Sequence, residues 1–292
     1  MNYTGDVLNF GMGVEKARAM GKKVEMVVVA DDVGVGRARG GKVGRRGISG
    51  TALVVKICGA LAEMGGGLED TARIGTLAGE NIVSIAASLS RVHVPGRPSG
   101  DAIEETERLP EGIVEIGMGI HNESGCERVE TDLPGTIKTM LAQMLNQQDE
   151  DRAYLVIKRT DPTVILINNF GGLSNLELGA ITTEVWSQLG KDYSLKPQRI
   201  MSGTFVGSLN GPGFGISIMK LADTGLGPGK SMLELIDYPA EAIGWPAPIR
   251  KETWEKKYNS YQEKETPDEE ETKPSNLRSK RTCEISARIS SD

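Results

Sequence analysis

Two histidines are all that this 292-residue chain carries, and one of them stands in a setting suited to chemistry. His121 lies in Gly117-Met118-Gly119-Ile120-His121-Asn122-Glu123-Ser124-Gly125, directly after an apolar run. Glycines let backbone approach a small ligand closely, and strand ends are where α/β proteins tend to place their sites. Imidazole titrates near neutrality, so it can serve as base, acid or nucleophile. A loop histidine holding one structural hydrogen bond is the commoner outcome of such a pattern. His93, in the Pro- and Gly-punctuated stretch after Arg91, is expected to be exposed and is given no role.

Carboxylates supply the second set of candidates. Asp6 closes the turn Asn2-Tyr3-Thr4-Gly5-Asp6. Placed there it can accept a proton from a hydroxyl, or cap the helix that follows. Asp31 and Asp32 end a valine-rich run, where metal binding competes with the more frequent roles of capping and solvation. The stretch Gly36-Arg37-Ala38-Arg39-Gly40-Gly41-Lys42-Val43-Gly44-Arg45-Arg46-Gly47 invites a phosphate reading. It lacks the Gly-Lys-Ser/Thr ending of a P-loop and does not open a helix after a strand, so a basic, mobile surface loop is expected. Asn168-Asn169-Phe170-Gly171-Gly172 is another polar strand-end turn, for which packing and turn geometry suffice.

These residues need elements to hold them. Val24–Ala30 reads as a buried central strand, after a first segment that starts as a loop and becomes a helix ending near Gly21. Leu8, Met12 and Val14 could share one face of that helix. Thr51–Met64 has apolar residues at three- and four-residue spacing and reads as a helix, and Leu68–Ser90 reads as a second, long one with acids in its first turn. Ile113–Ile116 is a strand and Leu133–Leu145 a helix. Tyr154–Lys158 and Thr163–Gly172 are strands flanking a turn. Leu176–Leu189 is a helix. Two apolar strands, within Gln198–Leu209 and Gly213–Leu221, are joined by a hairpin-like Asn210-Gly211-Pro212-Gly213 connection. A short helix follows at Lys230–Pro239. Alternating helices and strands favour a layered α/β architecture. From about Pro248 the sequence is charged and polar, and too poor in apolar residues to offset ordering entropy, so a disordered tail is expected.

Composition excludes several classes. The net charge is −6, without the basic excess of a nucleic-acid binder. No apolar run approaches the roughly 18 residues that cross a bilayer, and no signal peptide is visible. Cys58, Cys126 and Cys283 are odd in number and far apart, which suggests neither a disulfide framework nor a zinc site. A soluble, cytoplasmic protein is expected, with no nucleic-acid or membrane partner. Hydrophobic residues make up 38% but aromatics only 4%, so aliphatic residues must build the core.

Six motifs in order resemble the K domain of the dihydroxyacetone (glycerone) kinase family: NYTGDVLNFG, VEMVVVADDV, VGRRGISGT, GMGIHNESG, NNFGGLSNLE and GTFVGSLNGPGFGISI. The resemblance runs from Asn2 to about Pro246. It implies an α/β, two-subdomain DhaK-like layered fold with mixed β-sheets flanked by helices, the first subdomain incomplete. The implied divisions are 1–90 for the later part of the first subdomain, 91–248 for the second, and 249–292 for a charged tail or linker.

The resemblance also implies roles. His121 would bond covalently to the carbonyl carbon of dihydroxyacetone as a hemiaminal, holding a small, feature-poor ketone in one orientation and discriminating against glycerol. Asp6 would bind a substrate hydroxyl and is a candidate base. The two would meet at the junction of the subdomains. The implied reaction is ATP-dependent phosphorylation of dihydroxyacetone, with glyceraldehyde a second candidate substrate, in glycerol and ketone metabolism. ATP and Mg are expected to be bound by a helical L domain acting in cis or in trans, outside this chain, and a homodimer is expected.

The chain departs from the family pattern in three places. No Gly-His-Glu-Pro loop occurs, Met1 stands where a substrate-binding lysine is usual, and the polar tail falls where a linker to the L domain would start. The isolated chain is therefore expected to be catalytically inactive and reduced in stability. A non-catalytic dihydroxyacetone-binding or regulatory module, and a non-functional fragment, are the alternatives.

Overall fold

The computed structural model describes residues 1–90, 92, 109–121 and 123–245. His93, the Pro/Gly stretch and the charged tail lie outside the described residues. Those described all belong to one compact unit. Its helices are α1 (Thr4–Ala19), α2 (Arg37–Gly40), α3 (Gly50–Glu63), α4 (Leu68–Glu80), α5 (Leu133–Leu145), α6 (Asn175–Tyr193) and α7 (Met232–Asp237). Its strands are β1 (Ile82–Ser88), β2 (Ile113–Ile116), β3 (Glu127–Glu130), β4 (Thr163–Asn169), β5 (Arg199–Gly203) and β6 (Gly213–Lys220).

The strands form one mixed sheet in the order β3-β2-β1-β6-β4-β5. All neighbours are antiparallel except β4 and β5. β1 and β4 are buried at every position, as expected of strands covered on both faces. Alternate side chains go to opposite layers. Val83, Ile85, Ile165, Ile167, Ile216 and Ile218 pack beneath α5 and α6. Ile82, Val164, Leu166 and Met219 pack against α3, α4 and α7. Shortening one such residue, Ile216→Ala, would cost about 2–5 kcal/mol. β1 and β6, which flank the expected subdomain boundary at residue 90, pair along their full length.

Several sequence readings are corrected. The helix expected over Leu68–Ser90 ends at Glu80, with Asn81 as its cap. Beyond it Ile82-Val83-Ser84-Ile85 is a β-branched-rich run that enters the centre of the sheet. Val24–Ala30 forms no ladder. It meets the sheet only through the Asp32–Ser84 bridge, and Val28 is exposed. The Asp32–Ser84 bridge is parallel, so Ala30 lies level with Ile82, where β1 begins, and the residues before Ala30 run past the start of that strand. Tyr154–Lys158 is likewise not a strand. The expected β5–β6 hairpin is replaced by a connection that leaves one side of β4 and returns on the other. The segment expected to start as a loop is already helical from Thr4, after the extended N-cap Tyr3, and none of the residues of α1 is buried. Its Leu8, Phe10 and Met12 face outward, so the face expected of Leu8, Met12 and Val14 packs on nothing extensive.

Candidate active site

The loop after β2 carries His121. Gly117 turns the chain at φ +75°, a backbone setting that favours glycine, and its N–H donates to Ala86 O on β1 at 2.6 Å. Met118 and Ile120 point inward and are buried. Ile120 belongs to a small cluster with Ile48, Ala86 and Phe170, against which Met1, Tyr3 and Val206 pack. Gly119 N–H donates to Glu123 O at 3.1 Å and closes the loop, while Ser208 Oγ donates to Ile120 O at 2.5 Å. With its neighbours tied down, the His121 side chain is left 58% exposed.

Two groups hold the ring. Glu123 Oε2 accepts the His121 backbone N–H at 2.9 Å, and Oε1 lies 3.1 Å from Nδ1. The Tyr3 ring meets the imidazole edge-on, with centroids 4.6 Å apart and planes at 80°. Burial pushes the Tyr3 phenol well above its ordinary range, and the nearby Glu123 carboxylate adds to the push, so the hydroxyl stays neutral. Tyr3 is held in turn by Asn2, whose backbone N–H donates to Val29 O and whose side-chain amide donates to Val43 O and Arg45 O.

Beneath the loop lies a buried ion pair. Arg46 Nη2 and Nε approach Asp32 Oδ2 at 2.6 and 2.8 Å, and Nη2 also donates to Gly117 O at 2.6 Å. Asp32 Oδ1 accepts Gly34 N–H at 2.8 Å. Burial raises the Asp32 carboxyl to about 6, against the opposing pull of Arg46 and the Gly34 N–H. Asp31 accepts N–H bonds from Ile48 and Gly50 at the start of α3, a capping role supplied from a distance. Both aspartates are fully buried, so the reading of this pair as solvated is corrected. Metal ligation is not indicated, because their oxygens are already committed to N–H groups and a guanidinium. Asn168, at the end of β4, clamps the 204–211 connection. Its Oδ1 accepts from Phe205 N and Val206 N, and its Nδ2 donates to Val206 O.

Asp6 sits in the first turn of α1, and Tyr3 is the N-cap, so Asp6 is not the cap that its sequence position allows. It lines a cleft of about 400 Å³ with Phe10, Val14 and Val24–Val28. Tyr3, one helical turn earlier, is the residue of this turn that touches His121. Glu123, Tyr3 and Arg46 were not foreseen as site residues, and Asp32 was foreseen only as a metal ligand, cap or solvated acid. The one signal for Glu123 is its position two residues beyond the histidine in a glycine-rich turn.

No cluster of three or more His, Cys, Asp or Glu side chains that could hold a metal ion gathers among the described residues. Within the Gly/Arg loop Arg37–Gly40 forms α2; Arg37 donates to Glu150 O and Ala153 O, Arg39 to Gly125 O, and Arg46 pairs with Asp32. No helix among the described residues is long and apolar enough to cross a membrane.

A mixed sheet flanked by helices, with a histidine presented from a glycine-rich strand-end loop, defines an α/β domain of the kind that places its sites at strand ends. Residues 1–244 match the Dak1 domain, and the chain belongs to that family. It is 42% identical over 272 residues to a dihydroxyacetone kinase of Pichia angusta, covering 89% of this chain and 44% of that protein. The crystal structure of the dihydroxyacetone kinase of C. freundii superposes with a TM-score of 0.69 at 32% identity, over 86% of this chain and 41% of that one. The same enzyme in complex with AMP-PNP and Mg2+ gives a TM-score of 0.68. The chain thus spans less than half the length of these kinases.

Proposed function

We propose that the chain is the substrate-binding part of a dihydroxyacetone kinase. In this reading neutral His121 adds through Nε2 to the carbonyl carbon of dihydroxyacetone, giving a hemiaminal. The observation that carries it is the exposed, doubly held imidazole at the end of β2, in a member of the Dak1 family. A fixed nucleophile suits a small ketone that offers little surface for recognition. The covalent bond removes most of the substrate's freedom before phosphoryl transfer, which positioning alone can accelerate strongly.

Asp6 is the proposed ligand for a substrate hydroxyl. The support for this role is the family resemblance together with the place of Asp6 in the first turn of α1, three residues after the Tyr3 that touches His121. ATP and magnesium supply the phosphoryl group and its charge neutralisation. On this reading they arrive on another domain, in cis or in trans, and the chain alone binds substrate without phosphorylating it. The dimer expected from the family is proposed on the same basis.

Calorimetric titration with dihydroxyacetone and, separately, glycerol tests the reading. Saturable binding of the ketone that glycerol does not reproduce, lost in His121→Ala, is the expected result. Equal binding of glycerol would overturn it, because glycerol has no electrophilic carbon.

A further inference from the structure

We infer that Glu123 is the positioning residue for His121, fixing the neutral imidazole as the Nδ1–H tautomer and leaving the Nε2 lone pair free toward solvent. The inference rests on the proposed function for its consequence, but not for its geometry. One carboxylate oxygen takes the His121 backbone N–H at 2.9 Å, and the other faces Nδ1 at 3.1 Å. An ionised carboxylate accepts and cannot donate, so the ring nitrogen it faces must carry the proton. The backbone contact anchors the carboxylate from the same residue whose ring it orients. Rotation about the histidine side-chain bonds therefore breaks the second bond while the first persists. The Tyr3 ring, edge-on to the imidazole, restricts that rotation further.

Loop construction supports the assignment. A methyl group on Gly119 would collide with Glu123 Oε2 and would stand 2.7 Å from Arg46 Nη1. The carboxylate thus occupies space that only a glycine leaves open. In water an isolated neutral imidazole favours the proton on Nε2, which would block the nucleophilic lone pair. Holding the proton on Nδ1 inverts that preference.

The same contact acts during addition. As the Nε2 pair forms the C–N bond, the C=O π pair moves to oxygen and positive charge develops on the ring. The Glu123 carboxylate faces that charge. The Nδ1 proton then leaves through the carboxylate to solvent, and the alkoxide takes a proton from solvent. The product is a neutral hemiaminal, with atoms and charge balanced. A charge-assisted hydrogen bond of this kind is worth about a 10- to 100-fold change in rate.

Imidazole 15N–1H correlation spectra, with His121→Ala to separate the two histidines, read the tautomer directly. The wild type is expected to show Nδ1–H. Glu123→Ala should shift toward Nε2–H and slow adduct formation with dihydroxyacetone about 10- to 100-fold. Glu123→Gln keeps an acceptor oxygen without the charge. It should retain the tautomer but form adduct more slowly than wild type. Circular dichroism melts establish that the variants are folded. An unchanged tautomer in Glu123→Ala, or a changed tautomer with an unchanged adduct rate, overturns the inference. A wild type that shows Nδ1–H but forms no adduct upholds the Glu123 assignment and refutes the hemiaminal reading.

Discussion

Replacing Arg46 with methionine should uncouple the His121 loop from its support in a pH-dependent way. Among the described residues the guanidinium is the only cation bonded to the fully buried Asp32, and it also holds the Gly117 carbonyl from which the loop starts. Methionine keeps much of the volume and removes both contacts. Above the Asp32 pKa the carboxylate would be buried without a counter-charge, and breaking such a pair costs about 3–5 kcal/mol. For a domain of this size that is a fall in Tm of about 6–20 °C. The sign with pH follows from the raised folded-state value of about 6. A carboxyl with a raised folded pKa contributes stability fully below its unfolded value, and loses it as pH rises through the folded one. Removing Arg46 drives that folded value further up. The variant should therefore be close to wild type near pH 5, less about 1–2 kcal/mol for the lost Gly117 bond, and most destabilised near pH 8. Urea melts at the two pH values measure the difference. A deficit that is equal at both, or below about 1 kcal/mol at the higher, would refute the argument that Asp32 depends on Arg46 for its charge.

Other perturbations probe separate links. Gly119→Ala should displace the Glu123 carboxylate and reproduce the tautomer shift of Glu123→Ala, checked by the same imidazole spectra. Asn168→Ala leaves the Phe205 and Val206 amides without their acceptor and should cost about 2–4 kcal/mol. Hydrogen exchange should then quicken at those two amides more than elsewhere. In the wild type, α1 amides should exchange far faster than those of α3 or α5, because α1 buries no residue whereas the other two each bury several. Equal protection of α1 and α3 would mean that α1 is held by contacts beyond those described.

The sequence exposed those features that arise from local pattern. Ile113–Ile116 and Leu133–Leu145 have the expected bounds, because each is an apolar pattern between clear turn or capping residues, Asp132 among them. The α/β class and the Dak1 membership were equally readable. Features that depend on a distant partner were not. Val24–Ala30 has ideal strand composition, but a strand needs a partner edge, and in the parallel Asp32–Ser84 register β1 begins only level with Ala30. Leu68–Ser90 hid a helix-to-strand change because alanines and isoleucines serve both periods. The β5–β6 pair looked like a hairpin because sequence proximity says nothing of β4 inserting between them. At the site, the glycines around His121 marked it as a candidate, while its proposed role came from the family resemblance. Arg46 and Asp32 read as loop charge and solvated acid, since only the fold brings them under Gly117.

The proposed function stands on a covalent bond between His121 and a ketone carbon, which is observable in protein labelled with 15N-histidine and mixed with dihydroxyacetone carrying 13C at the carbonyl. A tetrahedral 13C resonance with one-bond coupling to an imidazole nitrogen is expected in wild type and not in His121→Ala. Free ketone and its hydrate as the only labelled species, with no 13C–15N coupling at saturating dihydroxyacetone, would contradict it.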